Sequence, residues 1–307
     1  MSGQGFPEVP HADVVVADRI DSALVRRLVA EQFPHWAGLP VRPVDEGGWD
    51  NRTFHLGDRM TVRLPSGEGY ALQVAKEQRW LPVLGPLLPL VVPAPLGSGR
   101  PGAGYPYPWS IYRWIDGRTA RAERIDDLTR FATDLADFLR ALRGVDATGG
   151  PAAGRHSAWR GTPLSTYDAE TRAAIETHRD GLPVDTVTAI WQSALDATWA
   201  GPPVWFHGDV ASGNLLVRDG RLAAVIDLGC CGVGDPACDT VIAWTLLHGA
   251  SRDAFRDALD VDPATWARGR GWALWKALIT VDNPDQAKAA EARHVLGQLL
   301  AEHAAAR

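Results

Sequence analysis

The chain changes texture at Asp116-Gly117, and that break limits the folds open to it. Ahead of it, Val41–Val44, Arg52–Leu56 and Met60–Leu64 are short strand-like runs, divided by the turn-rich segments Glu46–Asn51 and Gly57-Asp58. Ser110–Ile115 reads as a further strand, behind a Pro/Gly-rich loop from Pro93 to Pro108. Leu24, Val25, Leu28 and Val29 keep helical spacing behind Asp18 or Asp21, either of which can cap, and Ala71–Leu84 reads as a second helix. Beyond the break helical patterns dominate. Phe131, Leu135, Phe138 and Leu142 step by 4, 3 and 4, Val184–Trp199 forms another helical segment, and Asp239–His303 carries several, with Pro263 placed for a first turn. Two short strands, Asn214–Val217 and Leu222–Ile226, are joined through the hairpin turn Asp219-Gly220. The expectation is an α+β chain: a small antiparallel β-rich N-terminal lobe over 1–113, a connection at 114–117, and a larger helical lobe over 118–307.

Composition narrows the partners. The 307 residues carry a net charge of -6, which argues against a phosphate backbone as the main ligand. The balance is uneven: 11 basic and 12 acidic residues lie up to Asp116, against 20 and 25 afterwards. Only Lys76, Lys276 and Lys288 are lysines. Cys230, Cys231 and Cys238 fit no disulfide framework and no zinc-ligand spacing, which points to a reducing, cytoplasmic setting. No secretory signal is read at the N-terminus. The uncharged stretch Trp80–Gly99 has the length of a membrane span, but five prolines between Pro82 and Pro95 forbid a spanning helix. No nucleic-acid, membrane or obligate protein partner is expected.

The chemistry is concentrated in Trp205-Phe206-His207-Gly208-Asp209-Val210-Ala211-Ser212-Gly213-Asn214 and Ile226-Asp227-Leu228-Gly229. An Asp five residues before an Asn, with a second Asp following on a hairpin, is the layout of a kinase catalytic loop. Such a loop presents one carboxylate to an acceptor hydroxyl, and the Asn amide oxygen and second carboxylate turn to a metal. Phosphoryl transfer needs little beyond Mg²⁺ and a group that orients the nucleophile.

His207-Gly208-Asp209 with Asn214, Ile226-Asp227, and Gly234-Asp235-Pro236 with Asp239 resembles the aminoglycoside phosphotransferase family, protein-kinase relatives that phosphorylate small-molecule hydroxyls. The resemblance runs in order from about Val41 to the C-terminus and implies a protein-kinase-like two-lobe fold. It implies that Asp209 is catalytic, that Asn214 and Asp227 hold Mg²⁺, and that Asp235 and Asp239 brace the loop. His207, tempting as a general base, is read as fixing the loop by packing and hydrogen bonding.

In the N-terminal lobe, Val74-Ala75-Lys76 imitates a kinase strand lysine, but Glu77-Gln78-Arg79-Trp80 continues a helical pattern. Arg63, on the strand Thr61-Val62-Arg63-Leu64, is therefore the phosphate-holding candidate, its fork able to serve oxygens bidentately, with Glu77 as ion-pair partner and Glu68 as the rival. The resemblance places a nucleotide-covering loop at Glu46–Asn51, with Gly48 and Asn51 among its contacts, and a hinge at Ser110–Gly117, where main-chain groups of Arg113 and Ile115 would hold the base of ATP, or of GTP.

For the acceptor, the acidic helical lobe is compatible with a cationic aminosugar. Position singles out Asp168, Glu170, Asp282 and Asp285, and Trp266, Trp272 and Trp275 are either core or the wall of a sugar or macrocycle pocket. Three readings follow: an ATP-dependent phosphotransferase acting on an aminoglycoside-type antibiotic; a kinase of another antibiotic class such as a macrolide, or of an amino alcohol or sugar; and a catalytically silent nucleotide-binding protein.

Overall fold

The computed structural model describes residues 19–45 and 50–305. The chain divides into two compact units, one comprising residues 1–86 and 92–116, the other 87–91 and 117–307.

The first unit is built on a five-stranded antiparallel sheet. Its strands are β1 (Val41–Pro43), β2 (Asn51–Leu56), β3 (Met60–Pro65), β4 (Pro95–Gly99) and β5 (Trp109–Arg113), in the order β1-β2-β3-β5-β4. Helix α1 (Ser22–Gln32) is capped by Asp21, whose Oδ1 accepts from Leu24 N–H at 2.7 Å. Its buried stripe Leu24, Val25, Leu28 and Val29 joins Phe54, Leu56, Val62, Leu64 and Ile111 in one apolar core. Alternation then sends β3 and β5 neighbours to the opposite face. Val62 pairs with Ile111, so Arg63 and its partner Ser110, and Thr61 and its partner Tyr112, leave the α1 core. Those residues meet α2 (Glu68–Leu84): Gln78 Nε2 donates to Ser110 Oγ at 2.8 Å and to the Gly97 carbonyl at 3.0 Å.

Two differences from the expected elements have simple causes. β4 lies inside the stretch read as a loop, because Pro95-Leu96-Gly97-Ser98-Gly99 shows no apolar alternation. It is an edge strand with a register irregularity, the place where a sheet tolerates Pro and Gly. Helix α2 begins at Glu68, ahead of Ala71. The proline-rich stretch leaves the helix after Leu84, and no described helix is long and apolar enough to cross a membrane.

The second unit is mainly helical. β6 (Arg118–Thr119) pairs with β8 (Leu215–Arg218), which forms a hairpin with β9 (Arg221–Val225). β7 (Val204–Phe206) pairs with β10 (Gly232–Gly234). The helices are α3 (Leu128–Arg143), α4 (Asp168–Thr177), α5 (Val184–Asp196), the single turn α6 (Ile242–Thr245), α7 (Gly249–Leu259), α8 (Pro263–Thr280) and α9 (Gln286–Ala305). In α3, Phe131, Leu135, Phe138 and Leu142 are buried, as their spacing requires. Helix α8 is buried along most of its length between α4, α5 and α9. Asp262 caps it, accepting from Thr265 N–H at 2.8 Å and Thr265 Oγ1 at 2.7 Å, and Pro263 fills its first turn. At Gly269 the helix approaches the turn Pro236–Thr240 so closely that a methyl group would collide with Thr240.

Candidate functional site

Strand β7 delivers the chain into the loop from His207 to Asn214, and four interactions fix its shape. Asp239, fully buried, takes His207 N–H on Oδ2 at 2.9 Å and Gly208 N–H on Oδ1 at 2.7 Å. Burial raises the Asp239 pKa, and the proximity of His207, the two backbone donors and Arg143 oppose that rise. The His207 Nδ1 accepts from Asp209 N–H at 3.2 Å, which leaves Nε2 to donate to the Ile226 carbonyl at 3.1 Å. Both ring nitrogens are thus committed to the backbone. Gly208 has φ +85°, and a Cβ there would stand 2.7 Å from the Cys230 carbonyl, so only glycine fits.

At the tip, Asn214 Nδ2 donates to the Asp209 carbonyl at 2.8 Å and to Asp209 Oδ2 at 2.9 Å. Ile226 N–H donates to the Asn214 carbonyl at 2.8 Å, which holds Asp227, in left-handed backbone geometry (φ 62°), close behind. With its Nδ2 committed, Asn214 has its amide oxygen left for a cation, and Asp227 adds a carboxylate. Oxygen ligands of this kind suit Mg²⁺, which is commonly held by one or two side chains plus phosphate oxygens. Among the described residues no cluster of three or more His, Cys, Asp or Glu could hold a metal ion.

Asp235 works further out. Its Oδ1 caps the turn Pro236–Thr240 through Ala237 N–H at 3.0 Å, and both its oxygens receive the buried Arg268 guanidinium at 2.7 and 3.1 Å. Arg268 also donates to the Ala197 carbonyl at 3.2 Å and to Thr265 Oγ1 at 3.0 Å, tying α8 to the segment behind the loop. The Cys238 thiol is pushed up by burial and by the Asp239 and Asp235 carboxylates, so it stays protonated and inert.

In the first unit, Arg63 Nη1 lies 3.4 Å from Glu77 Oε1, and Tyr112 Oη donates to Glu77 Oε2 at 2.7 Å. Burial, with the Glu77 carboxylate second, pushes the Tyr112 phenol well up. Lys76 sits on α2 rather than on a strand. Asn51 opens β2, buried opposite Pro65, while Gly48 lies outside the described residues. At Arg113 the main-chain N–H donates to the Ala94 carbonyl at 3.0 Å. Ile115 makes no main-chain hydrogen bond among the described residues.

The acceptor candidates separate. Trp272 and Trp275 line a small depression with Asp209, and with Arg160 and Lys276, which sequence reasoning passed over. Trp266 does not belong there: it packs on Trp244 with ring centroids 4.8 Å apart and donates to Glu302 Oε1 at 3.1 Å in the core. Asp168 is held by Trp191 Nε1 at 2.7 Å and Arg172 Nε at 2.8 Å, and Glu170 by Trp275 Nε1 at 2.6 Å. Asp285 caps the start of α9 through Ala287 N–H at 2.9 Å, and Asp282 is an exposed partner 3.6 Å from His178. The acidic excess of the helical unit is not gathered at Asp209. Instead Lys276 Nζ stands 3.7 Å from Asp209 Oδ1, and the Arg160 guanidinium lies 5.2 Å from the Trp275 ring centre. The signal for Lys276 was available, since it follows Trp272 by one helical repeat.

An antiparallel β unit, a helical unit and an Asp–Asn–Asp loop define a small-molecule kinase of protein-kinase-like fold. The chain belongs to the phosphotransferase enzyme family, whose model matches residues 41–272. No curated protein sequence matches it. Among solved structures, it is similar to the GDP and kanamycin complex of APH(2")-IIia at 19% identity, with a TM-score of 0.70, over 91% of this chain and 98% of that one. The GDP complex of wild-type aminoglycoside 2'-phosphotransferase-IIIa aligns at 17% identity with a TM-score of 0.67, over 92% and 99% of the two chains. Macrolide 2'-phosphotransferase MphH from Brachybacterium faecium aligns at 21% identity with a TM-score of 0.58, over 90% and 97%.

Proposed function

We propose that this protein transfers the γ-phosphate of ATP, with GTP as the alternative donor, to a hydroxyl of a small molecule, and that Asp209 accepts or orients the hydroxyl proton. The observation that carries this reading is the loop itself: Asp209 is held on one oxygen by Asn214 at 2.9 Å, while Asp239 clamps the backbone before it through two amides. A carboxylate fixed in this way is pre-oriented without being neutralised. Asn214 and Asp227 would hold Mg²⁺, which when bound neutralises phosphate oxygens. Arg63, aligned by Glu77, would serve the phosphates of the nucleotide.

An ADP-release screen with Mg-ATP over aminoglycosides, macrolides, sugars and amino alcohols tests the reading, with mass spectrometry of the acceptor as the second readout. Turnover of at least one hydroxyl compound is the expected result. Nucleotide binding with no acceptor modified would instead support a silent nucleotide-binding protein. Kanamycin, bound in one structural neighbour, and a macrolide, for which another is named, define the first arms. Of the carboxylates singled out for a polycationic aminosugar, none lines the depression with Asp209, so an acceptor of lower positive charge suits the site better.

Arg63→Ala should raise the KM for nucleotide by about 10-fold or more, the loss of a charge-assisted contact to phosphate. Glu77→Gln, which keeps a hydrogen-bonding group for Tyr112, should produce a smaller rise in the same parameter. A nucleotide KM unchanged in Arg63→Ala would remove Arg63 from the phosphate site.

A further inference from the structure

The depression beside Asp209 has a charge pattern opposite to that of the unit containing it. Its lining includes one carboxylate, Asp209, and two cationic side chains, Lys276 and Arg160. Among the described residues the one ionic partner of Lys276 Nζ is Asp209 Oδ1, at 3.7 Å, which is too long for a hydrogen bond, so the ammonium retains donors for a ligand. Arg160 is anchored over Trp275, through Nη1 to the Ala158 carbonyl at 2.9 Å and against the Tyr167 hydroxyl, which fixes its charge at the depression. Trp272, 2% exposed, lines the same depression, and its buried Nε1–H has no acceptor among the described residues. Two cationic side chains and the indoles of Trp272 and Trp275, set at 86° to one another, therefore line the depression with the catalytic candidate, and nearby Glu170 is held by Trp275.

From this arrangement we infer that the acceptor is an anionic hydroxy compound, with a carboxylate or phosphate group close to the reacting hydroxyl, bound by Lys276 and Arg160 against Trp272 and Trp275. The inference rests on the proposed phosphotransfer at Asp209. An ammonium group on the acceptor would meet two cations and, in the lining, only the one carboxylate that must face the hydroxyl. An anion would pair with Lys276 and release Asp209 from it, so acceptor binding and readiness of the carboxylate would be linked.

The test uses the full chain with Mg-ATP and matched acceptors that differ in charge: glucuronate and glucose 6-phosphate, glucose, glucosamine, and kanamycin. Initial-rate kcat/KM is measured for each, together with binding by titration calorimetry in the presence of ADP. The expected order is acid above neutral above amine. Lys276→Gln should lower kcat/KM for the acids by about 10- to 100-fold, the loss of one charge-assisted contact, and narrow the acid-to-amine ratio. Lys276→Glu should invert that ratio. Arg160→Gln provides an independent second variant with the same expected direction. A uniform loss across all acceptors would assign Lys276 to the transferring phosphoryl group and overturn the inference, as would a panel in which no acid is turned over or bound better than its amine counterpart. Turnover that survives Asp209→Ala would overturn the underlying reaction reading, while the calorimetric order would still report on charge preference.

Discussion

Asp209→Ala should reduce kcat by about 10²- to 10⁴-fold, the range a positioned proton-accepting group contributes, while leaving the dissociation constant for nucleotide within about 2-fold of wild type, since transition-state contacts can be lost without ground-state binding. The side chain is 35% exposed, and its polar contacts are the Asn214 amide and Lys276. Its removal therefore leaves no buried orphan, and the melting temperature should hardly move. Asn214→Ala should behave differently: it frees Asp209 and removes a metal-ligand candidate together, so the double variant should be no worse than the more damaging single one. Rapid-quench measurement of product formation, with calorimetric titration of ADP, separates the effects. An Asp209→Ala protein that phosphorylates its acceptor at the wild-type rate would show that the base assignment is wrong.

The largest effect on stability is expected at Asp235 and Arg268. Both side chains are about 95% buried, joined by two hydrogen bonds, and Arg268 also serves Ala197 and Thr265. Removing one partner strands the other charge in the interior, at a cost of about 3–5 kcal/mol. Asp235→Ala should therefore lower the melting temperature by roughly 10 °C. Arg268→Met in the same chain should recover part of that loss, because the interior then holds no uncompensated charge. Thermal unfolding followed by circular dichroism checks both, and a shift below about 2 °C for Asp235→Ala would mean that the pair contributes little.

Much of the architecture was legible because its signals are local. Alternation in Val62, Arg63 and Leu64 and the helical step of Phe131, Leu135, Phe138 and Leu142 report the face each residue buries. The loop from His207 to Asn214 was legible because its backbone leaves few choices: Gly208 can be nothing else, and the Asp–Asn spacing closes a short turn. β4 was not legible, since an edge strand of Pro, Gly and Ser carries no pattern. The acceptor residues were harder still. Trp266 and Trp272 lie on one helix with the same chemistry, yet one packs on Trp244 and the other lines the depression with Asp209, a distinction made by α9 and the loop rather than by α8 itself. Net charge says little for a related reason: a sum over a unit does not say where each carboxylate finds its partner.

Helix α8 has a consequence for inheritance. Its Arg268 is locked to Asp235 and its Gly269 fits against Thr240, so the rod is immobilised at one end, and Trp272, Trp275 and Lys276 ride on the remainder. The loop bearing Asp209 draws its shape from Asp239 and from its own backbone. Trp272 and Trp275 are nearly buried, so size-conserving replacements there, and wider ones at the 43%-exposed Lys276, can retune the depression while the anchoring stays in place. A descendant of this chain could change its acceptor by drift along one face of one helix, keeping a machine for phosphoryl transfer that never has to be rebuilt.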